Sequence, residues 1–215
     1  MSSTPTVGFY GKLPCRGDFL QRRISPDFVD SWDGWLQDCL TESRLQLQEG
    51  WLETYLTSPA WRFVLAGGVC GANSCAGVLL PSVDRVGRYF PLTVVAHWEV
   101  AEFPLTTARN RESWFDSAQT LGIEALEAAC LDLDEFDRSV AALAARLDPT
   151  EEPFLWLREL ELATQPMSLW WTYGSNDSDP AMMCVNGLPD PATFAAMLLG
   201  NPAADGEREI IIRPR

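Results

Sequence analysis

From Phe28 onward the apolar residues recur three, four and seven positions apart: Phe28, Trp32, Trp35, Leu36, Cys39, Leu40 and Leu47 form one stripe with polar residues between them. That period predicts an amphipathic helix over about residues 26–47, packed through Trp32 and Leu36 on a flat apolar surface. Its start is marked by Ser25-Pro26-Asp27, a capping hydroxyl, a proline that fits the first helical position and an acid that complements the positive helix end. Val7 to Tyr10 is short, apolar and bounded by glycines, the pattern of a buried strand. After a short helix near Trp51 to Leu56, the segments WRFVLAG, CAGVLLPSV and YFPLTVVAHW are rich in β-branched and aromatic residues, separated by glycine-rich or charged turns. They predict core strands over Trp61–Gly67, Ala76–Val83 and Phe90–Trp98.

The period changes again from about Glu112 to Ala163. Trp114, Phe115, Ala118, Leu121, Leu126, Ala129, Cys130, Val140, Leu143 and Leu147 fall on helical faces with carboxylates between them, predicting two or three acidic helices. SLWWTYG, MMCVNG and REIIIRP then return to strand composition, and PDPATFAAMLLG between the last two reads as a short helix starting near Pro191. Strands, then helices, then strands with an intervening helix predict an α/β fold, a three-layer α-β-α domain in which helices cover both faces of a sheet. The connections are of mixed length, so a mixed central sheet is expected. There is no internal repeat or linker, and 215 residues with 47% hydrophobic content suffice for one core, so residues 1–215 are expected to form a single domain.

Composition narrows the function. The chain carries a formal net charge of −14, which repels phosphate backbones and anionic lipid surfaces, so neither nucleic acid nor membrane is an expected partner. The charge is uneven: ten acids face eight bases over residues 1–100, against thirteen and three over residues 112–161. MSSTPTVGFYGKLP lacks the basic start and apolar run of an export signal, and no stretch is long and apolar enough to span a bilayer, so a cytoplasmic location is expected. In that compartment Cys15, Cys39, Cys70, Cys75, Cys130 and Cys184 read as reduced, buried thiols.

Reaction chemistry is sparse. His97, the one histidine, stands in the apolar run LTVVAHW; a triad with Ser82 or Asp84 lacks a nucleophile elbow, and a structural role is favoured. Cys70 and Cys75 lack the second Cys or His pair that zinc requires, so no cofactor is expected. AGGVCGANSCAG lacks the spacing and lysine of a phosphate loop and reads as a hairpin loop; no small-molecule ligand is expected. What stands out is a pair of compact charged turns beside apolar strands, GKLPCRGDF and PSVDRVGRYFP. Lys12, Arg16, Asp18, Asp84, Arg85, Arg88 and Tyr89 are the candidate partner-binding residues, because arginine forks grip carboxylates bidentately and Lys12 is the single lysine of the chain. The same turns also admit a purely internal role, in which Asp18 and Asp84 pair with Arg16, Arg85 or Arg88 to pin loops.

GFYGKLPCRGDFLQR, SPDFVDSWDGWLQDCL, YLTSPAWRF and GVLLPSVDRVGRYFPLT, in that order over roughly residues 7–95, resemble the signature of the type VI secretion system-associated protein family TagF. SLWWTYG and NGLPDPATFAAML are similar to its C-terminal signature, whereas the acidic middle departs from the family pattern. The resemblance implies a post-translational repressor of type VI secretion that binds a cytoplasmic component of the machine, with a forkhead-associated-domain scaffold protein as partner. It implies no catalytic residues. Some relatives fuse this segment to a metal-dependent serine/threonine phosphatase domain, and the length here suits the stand-alone form. Two other readings compete: a small hydrolase or transferase with a cleft built from Asp18, Asp84, Ser82 and the arginines of the turns, and a structural subunit of the secretion apparatus. A deep pocket holding a carboxylate raised by desolvation would favour the enzyme.

Overall fold

The computed structural model describes residues 5–98, 112–147, 166–175 and 178–202. Seven strands form one sheet: β1 (Thr6–Gly11), β2 (Leu20–Arg22), β3 (Trp61–Leu65), β4 (Cys75–Leu80), β5 (Leu92–His97), β6 (Met167–Thr172) and β7 (Ala181–Asn186), in the spatial order β2-β1-β5-β4-β3-β6-β7. Every neighbouring pair is antiparallel, which corrects the expectation of a mixed sheet for the described strands. The cause is local. β3 to β4, β4 to β5 and β6 to β7 are joined by loops that hold no crossover helix, and such connections return the chain antiparallel. The strand expected at REIIIRP lies outside the described residues.

On one face lie α1 (Pro26–Leu47), α2 (Trp51–Thr57) and α5 (Pro191–Leu198). α1 matches the predicted span: the Ser25 side chain accepts from the Phe28 amide, and the helix ends where Gln48 turns to φ 46°. Its stripe is buried against the strands. Trp32 stacks on Phe28 and Trp170, tilts on Phe63 at 4.8 Å and donates its indole N–H to Thr93 Oγ1 at 2.9 Å. α5 starts at Pro191 behind Asp190, whose carboxylate accepts from the Thr193 amide at 2.7 Å.

The other face carries α3 (Glu112–Glu127), α4 (Leu133–Ala142) and the 3-10 turn Leu143–Arg146. Trp114, Phe115 and Ala118 of α3 and Phe136 and Val140 of α4 bury on this side, so the acids of these helices are left facing outward. Arg62 of β3 is a buried charge on this side of the sheet. It is held by Glu112 at 2.6 Å and Asp116 at 2.7 Å from α3, so the cation entering the core brings its own partners. The sheet thus has two apolar faces and two helix layers, the three-layer α/β arrangement that the pattern predicts; the remainder of the acidic middle, residues 148–163, lies outside the described residues.

Candidate partner-binding surface

β1 and the β4–β5 connection meet at one end of the sheet, and the two charged turns interlock there. Gly11, at φ 132°, sets the approach: a Cβ at this position would stand 2.1 Å from the Pro91 carbonyl oxygen, so only glycine lets β1 end against that backbone. The next residue, Lys12, turns inward. Its Nζ pairs with Asp84 Oδ2 at 2.5 Å with both side chains buried, and its carbonyl accepts from Ser82 Oγ at 2.7 Å.

Asp84 organises the second turn. Oδ1 accepts from the amides of Val86 and Arg88, each at 2.9 Å, and Oδ2 also accepts from Arg88 Nε at 2.7 Å. Gly87, at φ 86°, closes the turn by donating its amide to the Asp84 carbonyl at 3.0 Å. The two turns are then tied directly, by the Arg85 amide on the Arg16 carbonyl at 3.0 Å and by the Arg88 guanidinium on the Gly17 carbonyl. Burial would raise the Asp84 carboxyl, but the Lys12 ammonium, the Arg88 amide and guanidinium and the Val86 amide outweigh it and hold the group well below the usual carboxylate range. A group so firmly ionised is a structural anchor, not an acid or base poised for proton transfer at neutral pH.

The seven candidates therefore divide. Lys12, Asp84 and Arg88 are spent on holding the loops. Tyr89 is half-buried, edge-on to Trp51 and Tyr55. Arg16, Asp18 and Arg85 point to solvent and form no ion pair among the described residues. Next in sequence to Asp18 and Arg85 stand two exposed apolar side chains that sequence reasoning missed, Phe19 at 45% exposure and Val86 at 64%. Phe19 lies on the Tyr10 ring, meets Phe90 edge-on at 4.7 Å and has the Lys12 ammonium 4.7 Å from its centroid. The available signal was a lone phenylalanine directly after the polar turn.

His97 lies elsewhere. It pairs with Cys75 at the start of β4, whereas Ser82 and Asp84 follow the end of that strand, which at about 3.3 Å per residue is roughly 17 Å away. No triad can form. His97 packs edge-on against Phe28 at 4.9 Å, its Nε2 is buried without a hydrogen-bond partner, and burial pushes its pKa down to about 4. Cys39, Cys70 and Cys75 are buried, and desolvation raises all three thiols, Cys70 to about 12. Cys130, expected to be buried, is exposed at the end of α3, where the apolar stripe has run out. The glycine-rich segment is the β3–β4 hairpin loop, closed by the Gly68 amide on the Gly71 carbonyl at 2.7 Å. Among the described residues no group of three His, Cys, Asp or Glu could hold a metal ion, and no helix is long and apolar enough to cross a membrane. A cleft of about 470 Å³ opens between α3 and α4, lined by Asp116, Thr120, Leu121, Glu124, Leu143 and Arg146 among others, and none of its lining residues belongs to either turn.

Both turns fall within a match to a known family model: residues 8–143 match the TagF N-terminal domain, described as type VI secretion system-associated. The chain belongs to the TagF family. A TagF-family member is thus a type VI secretion system-associated protein, and the pinned turns lie inside the matched span. The chain is also similar throughout to a crystal structure of PA0076 from Pseudomonas aeruginosa PAO1, at 34% identity and a TM-score of 0.79 over 98% of this chain and 99% of that one. No curated protein matches the chain. β6 and β7 follow the matched span in sequence, yet they complete the same sheet that the TagF segment builds.

Proposed function

We propose that this TagF-family protein is a post-translational repressor of type VI secretion that acts in the cytoplasm as a binding module, not as an enzyme, by occupying a component the machine needs. Residues 1–215 serve as one domain in this reading, since β6 and β7 share the sheet of the matched segment. The observation that supports it best is the interlocked pair of turns. A buried Lys12–Asp84 pair fixes a surface on which Arg16 and Arg85 stand unspent beside exposed Phe19 and Val86. Apolar contact points ringed by arginine, on a preorganised base, are the usual make-up of a protein interface, and ordering costs on binding stay small. The partner face would be acidic, and a forkhead-associated-domain scaffold protein is the component implied by the family resemblance. The hydrolase reading loses support because its best carboxylate, Asp84, is locked in ion pairs.

The test is secretion in the native host. Removing the protein should raise type VI activity and overproducing it should lower activity; unchanged secretion in both cases rejects repression. Overproduced Arg16→Glu/Arg85→Glu should repress less than wild type, because reversing two exposed forks against an acidic partner costs on the order of 2 kcal/mol, about thirtyfold in affinity. Equal repression by a folded double variant would move the interface elsewhere.

A further inference from the structure

Arg44 stands in the last turn of α1 with its guanidinium over the Trp51 ring, 4.3 Å from the centroid. That ring is itself fixed. Its indole N–H donates to Ser43 Oγ at 2.9 Å, and it stacks at 4.9 Å on Tyr55, whose hydroxyl donates to the Ser82 carbonyl at 2.9 Å. The platform is buried, while Arg44 is exposed. Although Glu42, Glu49 and Glu53 are close in sequence, Arg44 forms no ion pair and no side-chain hydrogen bond among the described residues. Stacking on an aromatic ring fixes the plane of a guanidinium and leaves its N–H edges free, the presentation that grips a carboxylate bidentately.

The platform is continuous with the two charged turns. Tyr89, which follows Arg88 in the turn that Asp84 anchors, stands edge-on to Trp51 at 5.5 Å and to Tyr55 at 5.8 Å. Its neighbour Phe90 meets Phe19 of the first turn at 4.7 Å. A chain of ring contacts thus leads from the turn of Arg16, through the turn of Arg85, to Arg44. Each of these three arginines is exposed and forms no ion pair among the described residues.

We propose that the partner surface extends from the two turns across Tyr89 to Arg44, and that Arg44 grips a carboxylate of the same acidic protein partner. The inference rests on the reading of the turns as a partner-binding surface. Charge selects the occupant: in a chain with 30 acids against 16 lysines and arginines, exposed arginines without an acid are where an acidic surface can approach. Half-buried Tyr89, between the cationic ends, suits an apolar side chain, so the segment that fits carries acids on either side of an apolar residue. Because Arg44 is already ordered on Trp51, little side-chain freedom is lost when it binds.

The test uses the wild-type protein and the type VI component that it captures from native-host extract, identified by mass spectrometry. Phenylglyoxal, which modifies accessible guanidinium groups, should label Arg44 in the free protein and lose that labelling in the complex; equal labelling in both overturns the proposal. Variants give a second measurement. Arg44→Met keeps a long side chain over the ring without the fork and should bind the component about tenfold more weakly at an unchanged melting temperature, while Arg44→Lys, which keeps the charge, should restore part of the loss. A folded Arg44→Met that binds as wild type, beside a weakened Arg16→Glu/Arg85→Glu, overturns the extension and leaves the proposed function standing. Capture of no type VI component by wild type overturns both. If Arg44→Met does not fold, the labelling of the wild-type protein decides by itself.

Discussion

His97 and Asp84 give the protein two acid-sensitive points of opposite character. A buried neutral imidazole with a pKa pushed down to about 4, against about 6.5 when unfolded, means that the unfolded chain binds the extra proton first as pH falls. Its stabilising contribution is complete above about pH 6.5 and is lost between there and about pH 4. Denaturant unfolding should show wild type losing about 3 kcal/mol relative to His97→Gln across that window; parallel stability curves would mean that the imidazole is not desolvated. Asp84 acts lower on the scale. Its carboxyl is depressed, so its contribution is present above the ordinary carboxylate value and fades as pH falls below about 4. Replacing Lys12 by Ala leaves a buried carboxylate with Arg88 as its remaining ion-pair partner among the described residues, and melting should show a large loss, while Arg16→Ala, at an exposed position, should stay within about 0.5 kcal/mol of wild type.

Among elements, α1 supplies Trp32, which with Trp114 and Trp170 is one of the largest fully buried side chains among the described residues. Trp32 is fully buried among Phe28, Phe63 and Trp170, so Trp32→Ala should cost about 3–5 kcal/mol in equilibrium unfolding; a loss under about 1 kcal/mol would place the ring outside the core. Asp190→Ala removes the carboxylate that caps α5 at the Thr193 amide and should cost about 1 kcal/mol. Legibility followed the strength of local signals. α1 was readable to its ends because stripe, cap and proline agree, and β3 to β5 because their residues are buried on both sides. Strand direction was not readable, since pairing depends on connections in space and periodicity says nothing of them. In the candidate site, the two turns were legible from composition, and Asp84 with Arg88 matched the internal pairing foreseen for them. The inward turn of Lys12 was not: it follows from the close approach at Gly11, a contact between segments some eighty residues apart.

For the molecule as a whole, the proposed function rests on how a chain of net charge −14 presents its cations. The outward-facing acids of α3 and α4 belong to one helix layer, while Arg16 and Arg85 stand at the sheet end where β1 meets the β4–β5 connection. A partner that is itself acidic would be repelled by most of the surface and admitted at the turns, which orients the encounter as well as strengthening it. Binding through those arginines should weaken as salt is raised, because exposed charges are screened within about 8 Å at physiological ionic strength. The most direct measurement of the central claim is capture of the type VI component from native-host extract, scored by mass spectrometry and followed by titration of the captured component with purified protein. Wild type should retain the component, and Arg16→Glu/Arg85→Glu, with an unchanged melting temperature, should bind it about thirtyfold more weakly. Undiminished binding by that folded variant, or capture of no type VI component by wild type, would contradict the account.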